Sequence, residues 1–475
     1  MKNLIKALCL AAAASLLLAG AAGAQNAAGP APADYAGKVR ELQRVIQAQQ
    51  RRLEAQQRQL EEQKKMLQAL QQQVRGLLKP PPAASPMARK QATARPPEAG
   101  RQEAKNAEPA WPGSFAVQGL KTRFAIGGFA QLDVIHDTNA ITTPTEFVTA
   151  AIVTRDATKA QGSEGKTSFS VNASQLWFET RTPLSQGRLR TYFSMDFFGN
   201  SSNTSPDPRL REAYAEVSKW VLGGDLLAGQ AWSTAAYMTS WPNILDFEGP
   251  SAWLGYRRPQ VRWTRGLGQG LDLRLALETP NGHQIQGADS LTAWPDGVAA
   301  LVWRHGPLRV QGTAMLRDLR ASSNNGPTET ALGWGFAGAG MLELPWLGAK
   351  DNLTFSAAYG QGIGGLLNDQ PPDAYFDAAG QSLETVPVLG YYLAYEHWWS
   401  PRFSSVLLYG AINVDNLEAQ PAEAYHSTQY ACANLLWMPT SWWMLGGELL
   451  WGQRVDKDGA EGADTRLQLS TKFTF

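Results

Sequence analysis

Thr465-Arg-Leu-Gln-Leu-Ser-Thr-Lys-Phe-Thr-Phe475 alternates without a break. Leu467, Leu469, Thr471, Phe473 and Phe475 fall on one parity, and Arg466, Gln468, Ser470, Lys472 and Thr474 on the other. Successive side chains of a strand point to opposite faces, so this segment is apolar on one side and polar on the other. That pattern suits a barrel strand between lipid and a water-filled lumen, with an edge strand of a soluble sandwich as the alternative. The choice depends on how often the pattern recurs.

It recurs from Lys121 onward. Sixteen candidate strands can be drawn at 123–135, 167–181, 188–198, 208–218, 224–232, 259–265, 271–279, 296–304, 307–317, 331–343, 351–363, 387–398, 402–413, 425–437, 441–453 and 465–475. Leu189, Thr191, Phe193, Met195 and Phe197 alternate with Arg190, Tyr192, Ser194 and Asp196. Leu271 to Leu277 alternates in the same way with Asp272, Arg274, Ala276 and Glu278. The connections alternate too. Short turns near 183–187, 219–223, 266–270, 305–306, 344–350, 399–401 and 438–440 interleave with long links at 136–166, 199–207, 233–258, 280–295, 318–330, 364–386, 414–424 and 454–464. Short turns on one rim and long loops on the other is the layout of outer-membrane barrels, whose short turns are periplasmic. An even strand count places both barrel ends on that rim. Trp220, Trp346, Trp398, Trp399, Trp437, Trp442 and Trp443 adjoin short turns, as an interfacial aromatic girdle would. The fold expected is all-β and transmembrane: a sixteen-stranded antiparallel outer-membrane β-barrel over residues 114–475.

The chain ahead of it reads differently. Residues 1–24 have the form of an export signal: Lys2 and Lys6, an apolar run from Leu8 to Leu18, and small residues at Ala22-Gly-Ala24. After a short lead at 25–38, Val39, Ile46, Leu53, Leu60, Leu67 and Val74 recur every seven residues. Leu42, Gln49, Gln56, Gln63, Leu70 and Leu77 hold the companion positions, so residues 39–78 predict a coiled coil in the periplasm. Such a rod needs partner helices, and the spacing leaves dimer and trimer open. Lys79-Pro-Pro-Pro82 ends it, and residues 79–113 read as a proline-rich linker.

The formal net charge of +1 argues against nucleic acid as a partner. Residues 1–113 hold 17 Lys+Arg against 8 Asp+Glu, which leaves 26 against 34 for residues 114–475. Of those 26 cations, 19 are arginine. Alternation turns Arg190, Arg262, Arg274, Arg309 and Arg317 into the lumen, and Arg257 and Arg258 flank the third long link. Guanidinium groups bind carboxylates through paired hydrogen bonds, so these are candidate solute-contacting residues. Asp196, Glu212, Glu216, Asp272 and Glu278 also face inward and could neutralise them. Arg209 and Arg211 share a parity with Ala213, Ala215 and Val217, which leaves their facing open. The third link contains Trp241-Pro-Asn-Ile-Leu-Asp-Phe-Glu-Gly-Pro250, apolar and proline-stiffened, and is expected to fold inward as a constriction presenting Trp241, Asp246, Phe247 and Glu248.

Enzyme chemistry is not expected. The histidines, His136, His283, His305, His397 and His426, are scattered without metal-ligand spacing, and no nucleophile elbow or phosphate loop occurs. No catalytic residue, metal or cofactor is expected.

Several strings resemble a known family, the DcaP-like outer-membrane porins. They are Leu189-Arg-Thr-Tyr-Phe-Ser-Met-Asp-Phe197, Leu210-Arg-Glu-Ala-Tyr-Ala-Glu216, Leu227-Ala-Gly-Gln-Ala-Trp-Ser233, Asp246-Phe-Glu-Gly-Pro250, Arg258-Pro-Gln-Val-Arg-Trp263 and Tyr395-Glu-His-Trp-Trp-Ser-Pro-Arg402. The resemblance spans roughly 120–475 plus the heptads. It implies a homotrimer of sixteen-stranded barrels in outer-membrane lipid, with a periplasmic coiled coil and uptake of small anionic solutes, notably dicarboxylates. The alternative is a structural spacer that reaches the cell wall through the rod, with peptidoglycan as partner and a general unselective pore.

Overall fold

The computed structural model describes residues 111–475 except 118, 157–159, 161, 200–205, 281–282, 323–326 and 380. The export signal, the heptads and the linker up to residue 110 lie outside the described residues.

Sixteen strands close into one antiparallel barrel. They are β1 (Arg123–Asp137), β2 (Lys166–Ser170 and Gln175–Pro183), β3 (Arg188–Asp196), β4 (Arg209–Val217), β5 (Asp225–Trp232), β6 (Arg257–Gly268), β7 (Leu271–Glu278) and β8 (Asp296–His305). Then follow β9 (Leu308–Ser322), β10 (Thr328–Glu343), β11 (Asn352–Gln361), β12 (Pro387–Ser400), β13 (Phe403–Val414), β14 (Tyr425–Thr440), β15 (Trp443–Asp456) and β16 (Glu461–Thr474). Both pieces of β2 pair with β1. Closure comes from β1 against β16, with Phe129 opposite Thr474 and Asp137 opposite Arg466. The last residue completes the seam, since Phe475 and Gly128 exchange backbone hydrogen bonds at 3.0 and 3.1 Å. A closed sheet has no edge, which removes the sandwich alternative.

The side-chain alternation of β16 is as expected: Leu467, Leu469 and Phe473 are exposed outside, while Arg466, Gln468 and Ser470 are buried inside. The turn at Gln269-Gly270 shows why the short rim is glycine-dependent. Gly270 has φ +78, and a Cβ there would lie 2.2 Å from the Arg304 carbonyl oxygen, which packs the turn against β8. On this rim Phe403, Trp437, Trp443, Phe473 and Trp442 contact one another in series at centroid spacings of 5.8–6.4 Å. Trp220, Trp346 and Trp399 are more than half exposed there, as an aromatic belt requires.

Two links differ from the sequence expectation. The link at 318–330 shrinks to 323–327, and that at 454–464 to 457–460, because β9, β10, β15 and β16 run further than their apolar alternation. Beyond the lipid zone, strand pairing no longer needs an apolar outer face.

The long loops fill much of the interior. Ala235, Ala252, Trp253 and Leu254 of loop 233–256 pack with Ile363, Leu366 and Leu367 of loop 362–386. Both press on inward-facing Val298, Met315, Val388, Tyr392, Ile412 and Val414 of the barrel wall. Phe147 and Ile152 of loop 138–165 likewise meet Val406, Tyr430 and Leu450. The wall from β8 to β15 therefore meets the loops through apolar side chains interspersed with buried polar groups such as Gln311, Asn434 and Glu448. The polar passage is displaced toward β1–β6 and β16.

Candidate constriction and solute path

Loop 233–256 crosses the lumen because hydrogen-bonding side chains on the wall hold its backbone at its start and near its middle. At its start the Glu278 carboxylate accepts the Ser233 hydroxyl and the Thr234 N–H, each at 2.6 Å. Gln311 Nε2 donates to the Thr234 carbonyl at 3.0 Å. Further along, Glu448 accepts the N–H groups of Leu245 and Asp246 at 2.7 and 2.8 Å. Asn434 and Gln468 donate to the carbonyls of Asn243 and Leu245. Buried backbone groups need such partners, and a loop inside a barrel finds them on the wall. Asp246 then ties the loop to its neighbours, accepting Phe147 N–H, Gly249 N–H and Tyr430 O–H.

Beside the loop lies a cavity of about 700 Å³, lined by Phe129, Gln131, Gln175, Arg209, Arg211, Trp232, Arg257 and Lys472 from the wall. Trp241, Asp246, Phe247, Glu248 and Tyr256 come from the loop, and Glu146 and Asp369 from two others. All four loop residues expected at the constriction thus stand on this cavity.

The arginines divide into three groups. Arg257 lines the cavity, its guanidinium 4.9 Å from the Trp232 ring centroid. Arg190, Arg262, Arg274 and Arg309 face inward nearer the short-turn rim. They contact Glu179, the Trp232 carbonyl, Gln311 and Glu343 respectively. Arg258 and Arg317 do not line open space, contrary to expectation. Both are 2% exposed and bind Asp296 at 2.8 and 3.2 Å, Arg317 also reaching Asp373 at 2.6 Å. Their wall faces packed loops, so they serve as enclosed ion pairs. Asp196 is also enclosed rather than path-lining. It accepts both Arg209 nitrogens at 2.9 and 2.8 Å and Arg211 Nη1 at 2.8 Å, holding the two guanidiniums from behind.

Arg209 and Arg211 were ambiguous by parity for a physical reason. The β3–β4 register shifts at Ser194/Met195, so Ser194 pairs with Glu212 but Met195 with Leu210. Arg211 is the extra residue of this bulge, and the shift brings Arg209, Arg211 and Glu212 to the same face. Phe247 stacks on Phe198 at 4.1 Å, with the guanidiniums of Arg209 and Arg211 5.7 and 5.3 Å from its ring. Lys472, on the polar parity of the closing strand, completes the cationic side and was legible by alternation. Glu146, Asp369 and Glu448 carried no sequence signal, because loop contacts and long-range clamps have no period.

The loop carboxyls are perturbed. Burial, with the charges of Glu146 and Asp246 beside it, holds Glu248 well above the usual carboxylate range. Burial also raises Glu146, against the opposing pull of Arg209, and pushes Asp246 up to about 6. Among the described residues no group of three or more His, Cys, Asp or Glu is placed to hold a metal. What the arrangement offers chemically is a water-accessible passage flanked by fixed charges.

Comparison with known proteins bears on this architecture. The crystal structure of the outer membrane channel DcaP of Acinetobacter baumannii superposes with a TM-score of 0.68 at 20% identity, over 76% of this chain and 100% of that one. The anion-selective porin from Comamonas acidovorans gives 0.50 at 11% identity, over 74% and 100%. These likenesses establish a shared porin barrel. No curated protein matches the sequence. The family model of the DcaP outer membrane protein matches residues 112–475, which include every barrel strand, so the chain belongs to the DcaP family and is an outer-membrane porin.

Proposed function

We propose that the barrel conducts small hydrophilic anions, dicarboxylates among them, by passive diffusion past loop 233–256. The supporting observation is the convergence of Arg209, Arg211, Arg257 and Lys472 on one cavity. The acids that share it are weakened as counter-charges. Burial holds Asp369, Glu146 and Glu248 above the usual carboxylate range. A passage bordered by packed protein screens less than bulk water, so fixed guanidiniums act further into it. The proposal includes a homotrimer, with the short-turn rim and the heptad rod in the periplasm.

The test is single-channel conductance with reversal potential in a salt gradient, repeated with succinate and phthalate. Anion preference, with block that weakens when cavity arginines are replaced, supports the reading. Cation preference without block leaves a general porin. Absence of conductance moves the function to a structural spacer.

A further inference from the structure

The segment ahead of β1 reaches the short-turn mouth. Trp111-Pro-Gly-Ser114 forms a turn in which the Ser114 N–H and hydroxyl both donate to the Trp111 carbonyl, at 3.1 and 2.6 Å. Arg123 grips this turn, with Nε on the Ser114 hydroxyl at 2.8 Å and Nη2 on its carbonyl at 3.0 Å. Phe115 and Ala116 then pair with Phe124 and Arg123 of β1, and Phe115 stacks on Phe124. With the turn fixed in this way, the Trp111 indole lies on the Arg181 guanidinium, 3.8 Å from Cζ to ring centroid.

Arg181 faces the lumen. It stands directly opposite Arg123 on β1 and Arg190 on β3. Like charges so placed repel. Glu179 accepts from both Arg181 and Arg190, at 2.7 and 3.0 Å, and Glu216 stands opposite Arg190 on β4. Arg123, Arg181 and Arg190 meet Glu179 and Glu216, with Glu212 on the same face nearer the cavity, and the side chains of Arg181 and Arg190 stay about a quarter exposed. Arg190 also lies over the rings of Tyr192 and Tyr214, and Tyr192 stacks on Trp177. The lumenal face of β2–β4 is thus lined with alternating aromatic and cationic groups between the cavity and the mouth, and Trp111 is its last member.

We propose that Trp111 is a path-lining residue at the short-turn mouth, where with Arg181 and Arg190 it forms an exit subsite for anionic solute. The solute class rests on the anion reading above, whereas the position of Trp111 on the path does not. A carboxylate would meet the partly exposed guanidiniums of Arg181 and Arg190, which share Glu179, and the indole face would give it a flat apolar wall while holding Arg181 in place.

Trp111→Cys in the exported chain, from which residues 1–24 with Cys9 are removed, tests the position, since the other thiol, Cys432, is buried. In bilayers, a sulfonatoethyl methanethiosulfonate added at the short-turn side should lower conductance and shift the reversal potential away from anions. The trimethylammonium-ethyl reagent should shift it the other way. Labelling verified by mass spectrometry without change in either quantity, or no labelling from either side, overturns the position. The subsite is tested with succinate block. Trp111→Ala should weaken block several-fold from the short-turn side only, and Trp111→Phe should restore it. Unchanged block from both sides in an anion-selective channel overturns the subsite. A cation-selective wild type would instead sink the anion reading, and the subsite with it, while the thiol reagents still decide the position.

Discussion

The carboxylate of Glu448, on β15, accepts the backbone N–H of Asp246 in the middle of the constriction loop at 2.8 Å, and with it that of Leu245 at 2.7 Å. The two residues are 202 positions apart in the chain. This contact fixes how far loop 233–256 reaches across the lumen. Replacing Glu448 by Ala strands two buried N–H groups, each costing about 1–3 kcal/mol. The expected result is a folded channel with noisier and larger single-channel currents, whereas Glu448→Gln, which keeps one acceptor, should lie closer to wild type. Quiet, unchanged currents in Glu448→Ala would show that the other anchors suffice.

Arg211 sits at the β3–β4 bulge and donates to Asp196, facing the cavity beside Phe247. A hydrogen bond to a charged group is worth about 1.5–3 kcal/mol. Arg211→Ala should weaken succinate block about tenfold, roughly 1.4 kcal/mol. Arg309→Ala, at the short-turn rim and paired with Glu343, should change block by less than about half a decade by the same conversion. Dose–response curves of channel current decide between them, and equal losses would place the selective element at the rim.

Stability should divide the arginines in the opposite order. Arg317→Ala leaves Asp296 and Asp373 enclosed with less counter-charge, at a cost of about 3–5 kcal/mol. Arg309 and Glu343 are partly exposed, and their pair should contribute about 0–1 kcal/mol. Heat-induced loss of the folded-barrel band on gels would rank the two variants.

Selectivity should depend on pH. Glu146 and Glu248 face Arg209, Arg257 and Asp246, and their carboxyls hold protons above the ordinary range. As pH falls through the raised values they become neutral, the cavity gains positive character, and anion preference should rise. The stability sign follows from the same shifts. The folded state binds more protons than the unfolded one between the ordinary and raised values, so these groups lower stability as pH rises through that window. For Asp246 the window runs from 3.8 to about 6. Reversal potentials at pH 5 and pH 8 should differ in wild type and differ less in Glu248→Gln; a pH-independent reversal potential would count against the carboxyl pair.

Much of the architecture was legible because a strand in a membrane wall must obey a period of two. Leu467, Leu469 and Phe473 lie outside and Arg466, Gln468 and Ser470 inside, as their order requires. The strand number, the alternation of short and long links save at 323–327 and 457–460, and the inward facing of Arg190, Arg262, Arg274 and Arg309 follow from the same constraint. Alternation lost its guidance at Arg209 and Arg211, where one extra residue in β4 changes the facing partway along the strand.

The chain order of apolar and polar residues by itself determined a sixteen-stranded barrel and an inward-folding loop bearing Trp241, Asp246, Phe247 and Glu248. The family resemblance carried by its strings agrees with that reading. Only the tertiary structure decided which inward residues meet water. Arg258 and Arg317 obey the same alternation as Arg274, yet packed loops cover them and leave Arg257, Arg209 and Arg211 on the cavity. Alternation fixes the side of the wall a residue faces, but what lies opposite depends on contacts such as Glu448 with Asp246, between residues far apart in the chain.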